Sequence, residues 1–430
     1  MDVASSAPRN AGIDPDPRAT LAVPAGTLII DVTSSASQPY TSGIQRVVRA
    51  LAACSNSQDI VLAEFSPQNR QWHLVNPAPI LRSSTSPTRA GKMMLRSRQA
   101  YHHALQFPGA SQGIKFAIER FRGQYEMTRR TLGGQGWSYG PALRLTGPST
   151  FLLAEVSSGR AHAEALELQT LRDGHGLAMF VHDLMPLTNP EWFTADPRHD
   201  FAAYRRLIES ARQVATSSAH VVNAIRQSGP PRNPATVFPL PSFAASRRNG
   251  PPASPSFLLV GAMTGRKNAA NALRAAIRLA DQDHPLGLTF VAHPSPVQQS
   301  MKRLVRLARE RGVSISTRRF LSDAHLGDLY RSSTATLCIS LGEGYGLPVV
   351  ESLAHGTPVI ASNREPLSDF AEFGGVSLVD PLDVAAIADA MHRMMDAESW
   401  SRASNSIDHA SLPVGWASWA RGVIQWARSS

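Results

Sequence analysis

Short apolar runs alternate with amphipathic stretches along most of the chain. TLIIDVT (27–33) is a continuous apolar run of strand length; a polar loop, SSASQPYTSG, follows it. The next stretch, IQRVVRAL, sets Ile44, Val47, Val48 and Leu51 at helical spacing. DIVLAEF (59–65), TFLLAEV (150–156), LAMFVHD (177–183) and ARQVATSS (211–218) predict further strands, the last leading into a helical AHVVNAIRQS. Eight prolines between 230 and 255 then break the pattern around one short strand, ATVFPL, and mark a domain boundary. Beyond them six strands (SFLLVGA, GLTFVA, VSIS, ATLCIS, TPVIAS, GVSLVD) alternate with helices beginning near Asn268, Pro296, Asp323, Leu347, Pro366 and Asp383. Such alternation implies a parallel sheet covered on both faces, with ligands at the carboxyl ends of the strands. The fold class is therefore α/β, with two doubly wound, Rossmann-like domains. GWASWARGVIQWARSS closes the chain as an amphipathic helix carrying three tryptophans.

Length agrees, since 430 residues exceed one ordinary core. The expected division is a disordered, proline-containing tail over 1–25, a first domain over 26–240, a second over 241–405, and a closing helix over 406–430. The formal charge of +10 points to an anionic partner, and it is localised. Residues 82–148 hold eleven Lys and Arg against two acids, so they read as a basic insertion in the first domain. This segment is expected to lie against an anionic membrane surface or, equally, to form a basic helix pair packed on the first domain. Its interleaved aromatics, Tyr101, Phe107 and Trp137 among them, keep nucleic acid as a rival reading, though not the expected one. Two cysteines make neither a disulfide framework nor a metal cluster. With no signal-peptide pattern and no apolar run near the ~18 residues a membrane helix needs, the expected location is cytoplasmic, peripheral on the inner face of the membrane.

Candidate chemistry sits in loops after strands. MTGRKN (263–268) puts Arg266 and Lys267 at a helix N-terminus, a place suited to a diphosphate or, equally, a solvated turn. SLGEGYGLPVVESLAHG (340–356) sets Glu343 among glycines and Glu351 in the first turn of an apolar helix. Buried carboxylates need partners, so these two either cap the helix or hold a hydroxyl-rich ligand. VHDLMPL (181–187) ends a strand on His182 and Asp183, and TSGIQRVV (41–48) places Gly43 where backbone can approach a phosphate. Neither is specific alone. The D-x-D pairs Asp14/Asp16 and Asp281/Asp283 fall in the tail and after a helix, and neither reads as a metal site.

Together these loops resemble the retaining glycosyltransferases of the GT-B fold, in the large group called family 4. Glu343-GYGLPVV-Glu351 matches its E-x7-E motif, and FLLVGAMTGRKN matches its strand and basic loop. TSGIQRVVRAL and VHDLMPLTNPEWF look like the members that build lipopolysaccharide or capsule, often mannosyl- or rhamnosyltransferases. The resemblance implies two domains facing across a cleft, a last helix returning over the first domain, and no metal or other cofactor. Its donor would be a nucleotide diphosphate sugar, with GDP-mannose expected, and its acceptor a saccharide or lipid-linked saccharide. It implies that Arg266 and Lys267 neutralise the diphosphate, that Glu343 and His182 face the sugar, and that Asp183 orients the acceptor. Gly43, Gly344, Tyr345, Gly346 and Leu347 would line the donor site, with Glu351 on the ribose. REPLSDF (364–370) departs from the family pattern and leaves base recognition open. Two rivals remain: a nucleotide-sugar epimerase of the same fold, using His182 and Glu343 as acid and base, and a non-catalytic binding protein.

Overall fold

The computed structural model describes residues 20–37, 43–55, 59–67, 69–81, 140–156, 160–171, 173–193, 198–242, 250–292, 299–319 and 321–429. The first domain is built on a nine-stranded sheet: β1 (Thr20–Val23), β2 (Leu28–Asp31), β3 (Ile60–Ser66), β4 (Gln71–Leu74), β5 (Ala142–Leu145), β6 (Thr150–Leu153), β7 (Gly176–Val181), β8 (Gln213–Thr216) and β9 (Thr236–Val237). Their spatial order is β1-β5-β4-β3-β2-β6-β7-β8-β9. Pairing from β3 through β9 is parallel, whereas β4 runs antiparallel to both β3 and β5. Leu28, Ile29 and Ile30 are fully buried because helices cover both faces, which is why this strand reads as an unbroken apolar run.

In the second domain β10 (Ser256–Val260), β11 (Gly287–Val291), β12 (Ser314–Arg318), β13 (Ala335–Cys338), β14 (Val359–Ser362) and β15 (Val376–Val379) are all parallel, in the order β12-β11-β10-β13-β14-β15. Direction of winding reverses between β10 and β13, so the loops after these two strands diverge and leave a crevice. The corresponding reversal in the first domain lies at β2 and β6. The last helix, Trp416–Arg428, leaves the second domain and buries Trp419, Ala420, Val423, Ile424 and Ala427 in the core that β2, β6 and β7 share with the helix Gly43–Ala53.

Three expectations need correction. Thr20–Val23, placed in the tail, is a strand paired in register with Ala142–Leu145. Those partner residues were assigned to the basic insertion, yet they belong to the sheet. Both strands are four residues long and partly exposed, so their apolar content carried no signal, and their pairing spans more than a hundred residues of chain. The helix expected from Pro366 is a short 3-10 turn, Ser368–Phe373. The remainder of the insertion, 82–139, lies outside the described residues, and with it the membrane-facing expectation. Among the described residues no helix is long and apolar enough to cross a membrane.

Candidate active site

The loops after β10 and β13 build one half of the site. Asn268, in a left-handed conformation (φ 57°), donates from Nδ2 to the carbonyls of Ile339 (3.1 Å) and Pro381 (2.6 Å), pinning the basic loop beside the end of β13. The Leu341 amide donates to the Arg266 carbonyl at 2.8 Å. Arg266 Nη1 then reaches both the Gly342 carbonyl (2.9 Å) and Glu343 Oε2 (3.0 Å), while Lys267 Nζ lies 2.5 Å from Glu343 Oε1. Burial alone would raise the Glu343 carboxyl, but Lys267 and Arg266 outweigh it and bring it down to about 2. Two cations share one carboxylate, so the second-domain half of the site keeps a net positive charge.

The other half comes from the first domain, after β7. His182 is buried, and burial pushes its imidazole down to about 4 despite its bond to the Ala154 carbonyl. Because a carbonyl only accepts, Nε2 (2.8 Å away) carries the proton and Nδ1 is left as an acceptor. Asp183 Oδ1 accepts from the Met185 amide at 3.1 Å. Burial raises the Asp183 carboxyl; Arg266 and Lys267 across the interface pull it down, and Glu343 pushes it up. Asp183 thus belongs to the same electrostatic cluster as the three groups of the second domain.

Glycine makes this approach feasible. A Cβ on Gly344 would lie 2.1 Å from the His182 carbonyl oxygen, and one on Gly342 would lie 2.5 Å from the Trp192 ring. Ser218 Oγ donates to the Gly344 carbonyl at 2.7 Å, a second tie between domains. Gly346 serves a different need: its φ of 121° turns the chain into the helix Leu347–Ala354, with Pro348 in the first turn. Gly43 faces Leu347 across the interface, 3.7 Å from its position for a Cβ to Leu347 Cδ2. Tyr345 packs edge-on to Phe370 and, with Leu347, against the first-domain core. The recess beside Glu343, lined by Gly261, Lys267, Ser340, Gly346 and Pro348, has a volume of only about 10 Å³. A larger cavity of about 500 Å³, walled by Trp72, Phe151 and His175 on the first domain, shares no residue with this cluster.

Glu351 stands apart from the other four. It is 2% exposed, with Oε2 accepting from the Tyr330 hydroxyl at 2.7 Å. Its other oxygen pairs with Arg46 of the first domain, whose Nη2 also meets Asp323 Oδ1 at 2.9 Å. Sequence reasoning passed over Arg46, although it lies one turn beyond Gly43 in TSGIQRVV. It also missed Ser218 and Tyr330, which no local pattern marks. A further buried group lies at the ends of β2 and β6. Asp31 accepts from Thr33 Oγ1 and bonds His162 Nε2 (both 2.6 Å), and Glu155 accepts from the Ser34 and Ser35 amides and the Ser35 hydroxyl. Burial and the Asp31 charge raise Glu155 to about 8, against those three donors. The only available signal was a carboxylate closing each of two apolar runs.

Residues 244–409 match the profile of the family described as Glycosyl transferases group 1. Over 286 residues the chain is 24% identical to the serotype-specific mannosyltransferase WbdA of Escherichia coli, covering 60% of this chain and 34% of that protein. It is 32% identical over 136 residues to the MMP alpha-(1->4)-mannosyltransferase of Mycolicibacterium hassiacum, covering 30% of this chain and 32% of that one. The chain thus spans about a third of the length of these relatives. Anabaena HepE, solved in complex with UDP-glucose, superposes with a TM-score of 0.61 at 11% identity, over 94% of this chain and all of that one. That likeness shows the fold: the GT-B expectation holds.

Proposed function

We propose that this chain, whose fold is GT-B and whose residues 244–409 match the group 1 glycosyl transferase family, is a glycosyltransferase that moves a hexose from a nucleotide diphosphate sugar to a saccharide or lipid-linked saccharide acceptor. The observation that carries the reading is the pair Arg266 and Lys267 converging on Glu343 at the winding reversal of the second sheet. A diphosphate leaving group gathers charge as its bond to the sugar breaks, and preorganised cations stabilise that charge most where water is excluded. The N-termini of the helices Ala269–Ala280 and Leu347–Ala354 add partial positive charge at the same place. In exchange for the phosphates the cations release Glu343, which is then free to accept from sugar hydroxyls. Glu351 would receive the ribose hydroxyls.

We read the transfer as retaining. The acceptor oxygen bonds to the anomeric carbon on the face the diphosphate leaves, and its proton passes to the departing phosphate oxygen. No protein nucleophile is required. His182, neutral and with Nδ1 as acceptor, suits a sugar hydroxyl; Asp183 suits the acceptor side. Two cations on the diphosphate supply the charge a metal would, so turnover is expected to survive chelation. The mannosyltransferase relatives favour mannose, and hence GDP-mannose, in the synthesis of a bacterial surface polysaccharide. The basic segment 82–139 would hold the enzyme at the inner face of the membrane, at about 1 kcal/mol per cation near anionic lipid.

Lys267→Ala tests the core of this. It should lower kcat with the donor by about 10² or more, as removing one preorganised charge does, while the second domain still unfolds in one cooperative transition at a somewhat lower temperature, because Arg266 remains on Glu343. Near-normal turnover would remove the diphosphate assignment.

A further inference from the structure

Arg46 is a first-domain side chain that holds two second-domain carboxylates. It projects from the helix Gly43–Ala53, is 12% exposed, and divides its guanidinium between Glu351 and Asp323. Glu351 has little other recourse. With its side chain 3% exposed it is cut off from water, and Tyr330 supplies one neutral hydrogen bond to the far oxygen. The oxygen that Arg46 covers is the one turned towards the first domain, the side from which a ligand in the crevice would come. A second tie between the domains lies nearby, where Ser218 Oγ donates to the Gly344 carbonyl at 2.7 Å. The two domains thus meet at this point, with a protein cation on the carboxylate a donor would need.

We propose that Arg46 is a latch: it ties the first domain to Glu351 and gives up that carboxylate to the donor's vicinal hydroxyls when the crevice fills. The inference rests on reading Glu351 as the ribose carboxylate. Asp323 has a distinct part in it. Its side chain is 38% exposed and stands at the first turn of the helix Asp323–Ser332. It keeps the guanidinium paired while Glu351 changes partner, so no buried charge is stranded during the exchange. Arg46 acts here through Glu351 and is a positioning residue. The latched population is a tax on donor affinity, because only the released state accepts the nucleoside. The same contact gives the first domain a way to sense what the second has bound.

The test compares wild type with Arg46→Gln and, as a second route that leaves the buried cation in place, Asp323→Asn. Small-angle scattering of the ligand-free proteins reads closure. Calorimetry with GDP, UDP and inorganic pyrophosphate reads the tax. The latch predicts a larger radius of gyration for Arg46→Gln and a smaller shift of the same sign for Asp323→Asn. It also predicts nucleoside diphosphate binding about fivefold tighter or more in Arg46→Gln, with pyrophosphate gaining less, because that ligand needs the crevice open but does not compete for Glu351. An unchanged radius in both variants overturns the proposal. So does a parallel loss of pyrophosphate and nucleoside diphosphate binding, which would make Arg46 a phosphate ligand. If wild type binds neither GDP nor UDP, the nucleotide-sugar reading falls, and the scattering comparison still decides whether Arg46 closes the domains.

Discussion

Gly344→Ala is the substitution with the largest expected effect for the smallest chemical change. Gly344 does not adopt a positive φ, so alanine costs the backbone nothing locally. What it costs is contact: the new methyl would lie 2.1 Å from the His182 carbonyl oxygen and 3.0 Å from Asp183 Cβ. Ordinary van der Waals contact begins near 3.4 Å, so the loop and the first domain must part by about 1 Å. Neither side yields easily, since one partner is backbone at the end of a buried strand. The hydrogen bond from Ser218 to the Gly344 carbonyl stretches with it, a loss of about 1 kcal/mol. A displacement of ~1 Å between groups that must act together costs about 10²-fold in rate. We predict that kcat/KM for the donor falls by about that factor, with the fall mostly in kcat. Each domain keeps its own core, so calorimetric melting should change little. Ser218→Ala, which removes the hydrogen bond without the clash, should cost only about fivefold. Wild-type kinetics for Gly344→Ala would refute the premise that the two domains return to this contact once the donor is bound.

Other consequences follow from burial and charge. His182 has a native pKa near 4 against an ordinary 6.5, so the unfolded chain binds the extra proton in that window. Its contribution is complete above pH 6.5 and is lost as pH falls towards 4, an upper bound of about 3 kcal/mol; urea titrations of wild type and His182→Gln should converge in pH dependence only if this assignment is wrong. Ending the chain at Gly415 exposes the core face that Trp419, Val423 and Ile424 cover. At ~1.5–3 kcal/mol per large buried side chain that is about 5 kcal/mol or more. The first domain should then melt separately and earlier than the second in a calorimetric scan; an unshifted single transition would show that the helix is dispensable.

Much of this protein was legible along the chain. Continuous apolar runs such as Ile29–Ile30 and Leu258–Leu259 exist because a doubly covered parallel strand has no polar face, and that constraint is local. The doubly wound architecture likewise follows from strand alternation and crossover handedness. The meeting of Arg266, Lys267 and Glu343 was implied only by the family resemblance, and the strand order that sets the reversal came from the structure. Local pattern failed where the stabilising contact lies far away in sequence. The strands Thr20–Val23 and Ala142–Leu145 are strands only because they pair with each other. Glu351 reads equally well as a cap or a ligand carboxylate until Tyr330 and Arg46 are seen on its two oxygens. Gly344 reads as a flexible loop residue until the His182 carbonyl is found against it. An amino-acid string specifies which groups a segment can bury and at what period. Which charge from another domain neutralises a buried carboxylate depends on how two separately folded cores meet, and that was decided only in three dimensions.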